Sequence, residues 1–125
     1  MNKPVLKGLD FMGNPNRSDD FVIGATAYIG FEESKGSDLF YFRVMTPKRL
    51  MVILKEEKIF DGRATLIINE FNESLVEMEI NKTLENCVRS SWEEVAQAIN
   101  RHLNWEYDNV RYETLDEAIL RLKTE

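Results

Sequence analysis

Residues 38–50 read DLFYFRVMTPKRL, and the hydrophobic period changes inside them. Up to Met45 the apolar residues alternate, so that Phe40, Phe42 and Val44 share one face of an extended chain. Thr46 then offers a helix-capping hydroxyl. Pro47 suits the first helical position, where its missing N–H would have no partner in any case. Met45 and Leu50 stand at the two positions of a hydrophobic staple across that cap. The spacing predicts a strand ending near Met45 and a short helix over about 47–56.

Upstream, the chain reads as more strands. PVLKGLDF (4–11) suits a first strand, and GNPNRSDD (13–20) is rich in turn-forming residues. FVIGATAYIGF (21–31) alternates, which puts Phe21, Ile23, Ala25, Ala27, Ile29 and Phe31 on one face. Gly24 and Gly30 fall on the other, at positions that fit a bulge or a close neighbour. EESKGS (32–37) then closes a β-hairpin onto the opening stretch. Downstream, GRATLIINEF (62–71) is a fourth strand after an Asp61–Gly62 turn. Asn72 caps a helix running to about Val88, with Val76, Ile80, Leu84, Cys87 and Val88 inward and Phe71 as its staple. Ser91 and Glu94 form a capping box for a second helix, whose stripe is Trp92, Val95, Ala96, Ile99 and Leu103. Thr114 and Glu117 repeat the box for an extra C-terminal helix in 111–125, with Leu115, Ala118, Ile119 and Leu122 at helical spacing. The expected architecture is a single α+β domain over residues 1–125, with a mostly antiparallel sheet of about four strands and helices packed on one face.

Composition agrees with one globular domain. The 125 residues are 43% hydrophobic and 30% charged, enough to bury a core without disulfides or metals. The lone cysteine, Cys87, excludes an internal disulfide and any multi-cysteine metal site. No apolar run approaches the roughly 20 residues of a membrane span, and MNKPVLKGLD has no continuous apolar stretch like that of a signal peptide. The expectation is a cytoplasmic protein. Its net charge of −6 is unevenly placed: residues 1–60 carry eight acids and nine bases, residues 61–125 fourteen acids and seven bases. Such a field repels nucleic acid and steers cationic partners inward, which argues against direct nucleic-acid binding.

The stretch SWEEVAQAINRHLNWEYD (91–108) holds both tryptophans, the only histidine and several acids, and so invites a catalytic reading. His102, near the end of its helix, needs no more explanation than the helix dipole, and no HxxxH or HExxH pattern accompanies it. Glu94 belongs to the capping box, and the adjacent Glu93 points elsewhere on the helix, so the two make a poor catalytic dyad. Cys87 lies on an apolar stripe, where an inert buried thiol is the ordinary outcome. Phosphate-binding loops, a GxSxG motif and a calcium loop are absent, and Lys48–Arg49 is too small a basic cluster to read phosphates. No catalytic residue, cofactor or metal is expected.

Three blocks, in this order, resemble the immunity protein 8 family of bacterial polymorphic toxin systems: DLFYFRVMTPKRL (38–50), GRATLIINEFNESLVEMEI (62–80) and SSWEEVAQAINRHLNWEYDNV (90–110). They cover well over half of the chain, with Trp92 and the Trp105-Glu106-Tyr107 exit at the familiar spacing. Members often carry an aromatic where Arg49 stands and often end soon after that exit, whereas RYETLDEAILRLKTE (111–125) continues here. The resemblance implies a non-enzymatic inhibitor that binds the toxin domain encoded beside it and protects the producing cell. Its acidity suits a toxin with a basic face, such as a nuclease. Trp105, Glu106, Tyr107 and Asp108 are then the candidate partner-binding residues, with alternation sending Trp105 and Tyr107 one way and Glu106 and Asp108 the other. The competing reading is that the two aromatics close the core and the two acids are merely solvated. Two other function classes compete with an inhibitor. One is a small enzyme built from scattered acids and His102; the other is an adaptor whose partner is not a toxin.

Overall fold

The structure is a computed structural model that describes residues 3–108. The helix expected in 111–125, with its Thr114–Glu117 cap, lies outside the described residues. Three long strands, β1 (Pro4–Phe11), β2 (Val22–Phe31) and β3 (Asp38–Met45), form an antiparallel meander. The β2–β3 hairpin runs in unbroken register from Ile29 opposite Asp38 to Val22 opposite Met45. The chain then crosses over through helix α1 (Pro47–Glu57) and lays β4 (Thr65–Ile67) parallel to β3. Helices α2 (Glu73–Glu85) and α3 (Trp92–Ile99) follow, and β5 (Asn104–Trp105) returns antiparallel to β3. The α+β class and the mostly antiparallel sheet are therefore as expected, with five strands and one parallel pair.

The alternation that predicted the strands also sorts the core. Phe21, Ile23, Ala25, Ala27 and Ile29 of the second stretch, with Phe40, Phe42 and Val44 of β3, are all buried in one cluster. Val76, Ile80 and Leu84 of α2 and Val95, Ala96, Ala98 and Ile99 of α3 join it, with Ala64, Cys87 and Leu103 from the connections. Burying each large side chain contributes about 1.5–3 kcal/mol before chain entropy is offset. Phe71 meets the rings of Phe11 and Phe21 edge-on, at 5.3 and 5.6 Å between centroids, and so packs the entry to α2 against the sheet.

The Thr46 cap forms as the sequence suggests. Its Oγ1 accepts from the Arg49 N–H at 3.4 Å and also from the Phe21 N–H at 3.1 Å, joining the start of α1 to the start of β2. Arg49 and Lys48 pair with Asp20 and Asp19, each through a nitrogen–oxygen contact under 3 Å. These ties hold a helix that buries none of its own residues.

Both glycines flagged in β2 sit against close neighbours. A side chain at Gly30 would run into the Gly36 carbonyl, and one at Gly24 would come within 2.7 Å of Met12 Sδ. The sheet's one irregularity lies instead in β1, between Leu6 and Gly8.

Three boundaries differ from expectation, each for a local reason. The fourth strand was expected over 62–71 but spans only Thr65–Ile67. Ala64 enters it in a left-handed conformation (φ 51°), so the turn falls at Arg63–Ala64 rather than at Asp61–Gly62. In addition β3 has only half an edge to give: β4 pairs at Arg43–Met45, while β5 takes Phe40 and Tyr41. Helix α2 stops at Glu85, yet Cys87 stays buried because its N–H reaches back to the Leu84 carbonyl at 3.0 Å. Helix α3 stops at Ile99 with Asn100 as its cap, so His102 lies in a turn, and Leu103 remains buried through a bond from its N–H to the Ile99 carbonyl.

Candidate functional site

Asp38, the first residue of β3, gathers the two tryptophans. The Trp92 indole N–H donates to Asp38 Oδ2 at 2.7 Å, and the Trp105 indole N–H donates to the same oxygen at 3.0 Å. A partly buried indole needs an acceptor for its N–H, and one carboxylate here serves both. Trp92 opens α3 and packs edge-on against Phe31, 5.1 Å between centroids, with Phe40 at 6.5 Å. Trp105 meets Tyr107 edge-on at 5.9 Å. Between α3 and β5 these groups line a cleft of about 400 Å³, bounded by Asp38, Trp92, Glu93, Gln97, Trp105, Tyr107 and Asp108.

Asn100 fixes the far side. Its side-chain oxygen accepts from the Trp105 N–H at 2.9 Å, and its amide nitrogen donates to Asp108 Oδ1 at 2.7 Å. Arg63 joins in from beside β4, donating to the Asn100 carbonyl at 2.7 Å and to the Asn104 side chain at 3.1 Å. Glu106 faces away from the cleft in its bonding: it exchanges both a backbone bond and a side-chain bond with Leu39, accepting the Leu39 N–H on Oε2.

The structure thus brings three of the four sequence candidates, Trp105, Tyr107 and Asp108, into one cleft and sets Glu106 behind it. The expected alternation fails at Asp108. The strand ends at Trp105, and the Asp108 N–H bonds back to the Trp105 carbonyl at 3.1 Å, so a turn swings Asp108 to the same side. Asp38, Glu93 and Gln97 were not singled out as partners in this cleft. The signal was present only as two tryptophans whose N–H groups would need acceptors; nothing in the spacing pointed to an acid 54 residues away.

The remaining chemical candidates stand apart. The hydroxyls of Ser90 and Ser91 both donate to Glu94 at 2.9 Å, which holds its carboxyl below the usual range, and Ser91 Oγ accepts the Glu94 N–H. Burial pushes the Cys87 thiol above its ordinary range, away from the reactive thiolate. His102 is exposed and lines neither the cleft nor the shallower hollow along α3 that carries Arg89 and Arg101. Among the described residues no group of three His, Cys, Asp or Glu side chains could hold a metal ion, and no helix is long and apolar enough to cross a membrane.

Fold and site together define a small α+β domain that presents a cleft of acids and aromatic rings. The chain belongs to the immunity protein 8 family, whose model matches residues 5–110 and so takes in, among the described residues, every strand but the first residue of β1, all three helices and the whole cleft. No curated protein and no solved structure matches it.

Proposed function

We propose that this chain is the antidote of a toxin–immunity pair, a cytoplasmic, non-enzymatic protein that binds the toxin domain encoded beside it and masks a basic surface there, as a nuclease would present. The observation that carries this reading is the family match over residues 5–110. The cleft supports it in chemical terms, since acids and aromatic anchors suit the capture of a cationic protein surface. Trp105, Tyr107 and Asp108 would meet the toxin directly. Glu106 would act from behind, holding β5 against β3.

Co-expression with the toxin domain of the neighbouring reading frame should restore growth, and the two proteins should co-purify. Failure of both would remove the immunity reading. Reversing the charge at Asp108 to Lys should weaken the complex about tenfold or more at low salt and by much less at high salt. An affinity unchanged at both salt concentrations would take Asp108 out of the interface.

A further inference from the structure

We infer that the cleft between α3 and β5 is a receptor for a single arginine side chain of the partner. For the partner's identity this rests on the immunity reading; the binding chemistry stands on the cleft itself. Trp92, Trp105 and Tyr107 line the cleft together with three acidic residues, Asp38, Glu93 and Asp108. Among the described residues no Lys, Arg or His lines the cleft, and none of the three acids is in an ion pair. Basic groups stand close by without lining the cleft: Arg89 and Arg101 share a neighbouring hollow with Glu93 and Gln97, and Arg63 is engaged by the Asn100 carbonyl.

The floor is already set for a cation. Both indole N–H groups bond to Asp38 Oδ2, which fixes the carboxylate without neutralising it. Asp38 Oδ1 makes no bond among the described residues, and no side-chain oxygen there is both buried and unpaired, so Oδ1 faces an accessible space. At the rim, the Glu93 carboxylate has no hydrogen-bond or ion-pair partner among the described residues, while the Asn100 side-chain amide donates to Asp108 Oδ1. A cation gains both carboxylate and ring attraction in this cleft, which a neutral ligand does not.

Arginine fits better than lysine. Its planar guanidinium carries five donors in a fixed fork, enough to reach several carboxylates while lying against an aromatic ring, and it is shed by water more readily than an ammonium. The volume of about 400 Å³ suits one long side chain, being near the lower end of ligand pockets, which run from roughly 300 to 1,000 Å³.

The protein carries its own reporter, because its only two tryptophans both line the cleft. Titrating the full chain with acetyl-Gly-Arg-Gly-amide should give a saturable change in tryptophan fluorescence. The citrulline counterpart, nearly the same shape without the charge, should give none. Glu93→Gln with Asp108→Asn should weaken arginine binding about tenfold. Glu93→Gln alone should weaken it measurably, and this variant breaks no bond of the fold. Equal responses to arginine and citrulline, or no saturable response up to the solubility limit, would overturn the inference. So would arginine binding that neither variant alters. Growth rescue with no arginine response sinks the cleft and leaves the immunity reading standing; an arginine response without rescue does the reverse.

Discussion

Thr46 is fully buried, and its one hydroxyl accepts two backbone N–H groups, from Phe21 and from Arg49. Valine has nearly the same shape and no acceptor, so Thr46→Val should cost about 1–3 kcal/mol through the unsatisfied donors. Thr46→Ser should recover most of that loss, both read from urea denaturation midpoints. A Thr46→Val midpoint equal to wild type would mean that water replaces the hydroxyl. Cys87 gives a pH signature. Its folded-state value is raised by burial above the ordinary 9.0, so the unfolded chain loses this proton first. Its contribution is whole below about pH 9 and is lost as pH rises through the folded value. Tyr28 acts in the same direction above its ordinary 10.0, because its hydroxyl donates to the Asp10 carboxylate. The denaturation midpoint should therefore fall on going from neutral pH into the alkaline range, and fall less steeply in Cys87→Ala. Parallel curves for the two proteins would refute the Cys87 part. At this scale the sequence was informative wherever a residue acts on its chain neighbours: Thr46, Asn72 and Ser91 all cap as their positions suggest. It was silent on Asp38, whose two partners arrive from far along the chain.

Among the elements, the β2–β3 hairpin has the least room for change. At Gly30 any side chain would strike the Gly36 carbonyl, which is backbone and cannot swing aside. Gly30→Ala should thus cost about 1–3 kcal/mol. Gly62→Ala, with nothing within 4 Å of the new carbon, should stay within about 0.5 kcal/mol of wild type. Thermal melts of the two variants compare them directly, and similar losses would contradict the close approach at Gly30. The alternation of β2 and β3 was readable because one face of each is buried and the period of two is unbroken over many residues. The extent of β4 and the existence of β5 were not. A two-residue strand leaves no period to detect, and the length of β4 depends on how much of the β3 edge β5 has already taken. The helix ends were overrun for a related reason: buried Cys87 and Leu103 continue the apolar stripes past the last helical residue.

For the molecule as a whole, the uneven charge predicts a kinetic behaviour. Residues 61–125 carry fourteen acids and seven bases, and the exposed flank of α2 alone presents Glu73, Glu77, Glu79 and Glu85. If the partner is a basic toxin domain, association measured by stopped flow should slow about tenfold or more as added salt shortens the screening length from about 10 to about 3 Å. Dissociation should change far less, since the aromatic contacts are short-ranged. A salt-independent association rate would contradict electrostatic steering. Fold class and family were legible at this scale because each rests on long ordered blocks; the cleft was not, because it exists only in the folded chain. That last fact bears on synthesis. The bond from Trp105 to Asp38 spans 67 residues, and the cleft also needs Asp108. A copy still on the ribosome lacks this wall until nearly all of the matched segment has been made. If this cleft is the surface that meets the toxin, a chain broken off before Asp108 offers no protection, and a cell making both proteins would depend on its stock of chains completed past that point rather than on its rate of starting new ones.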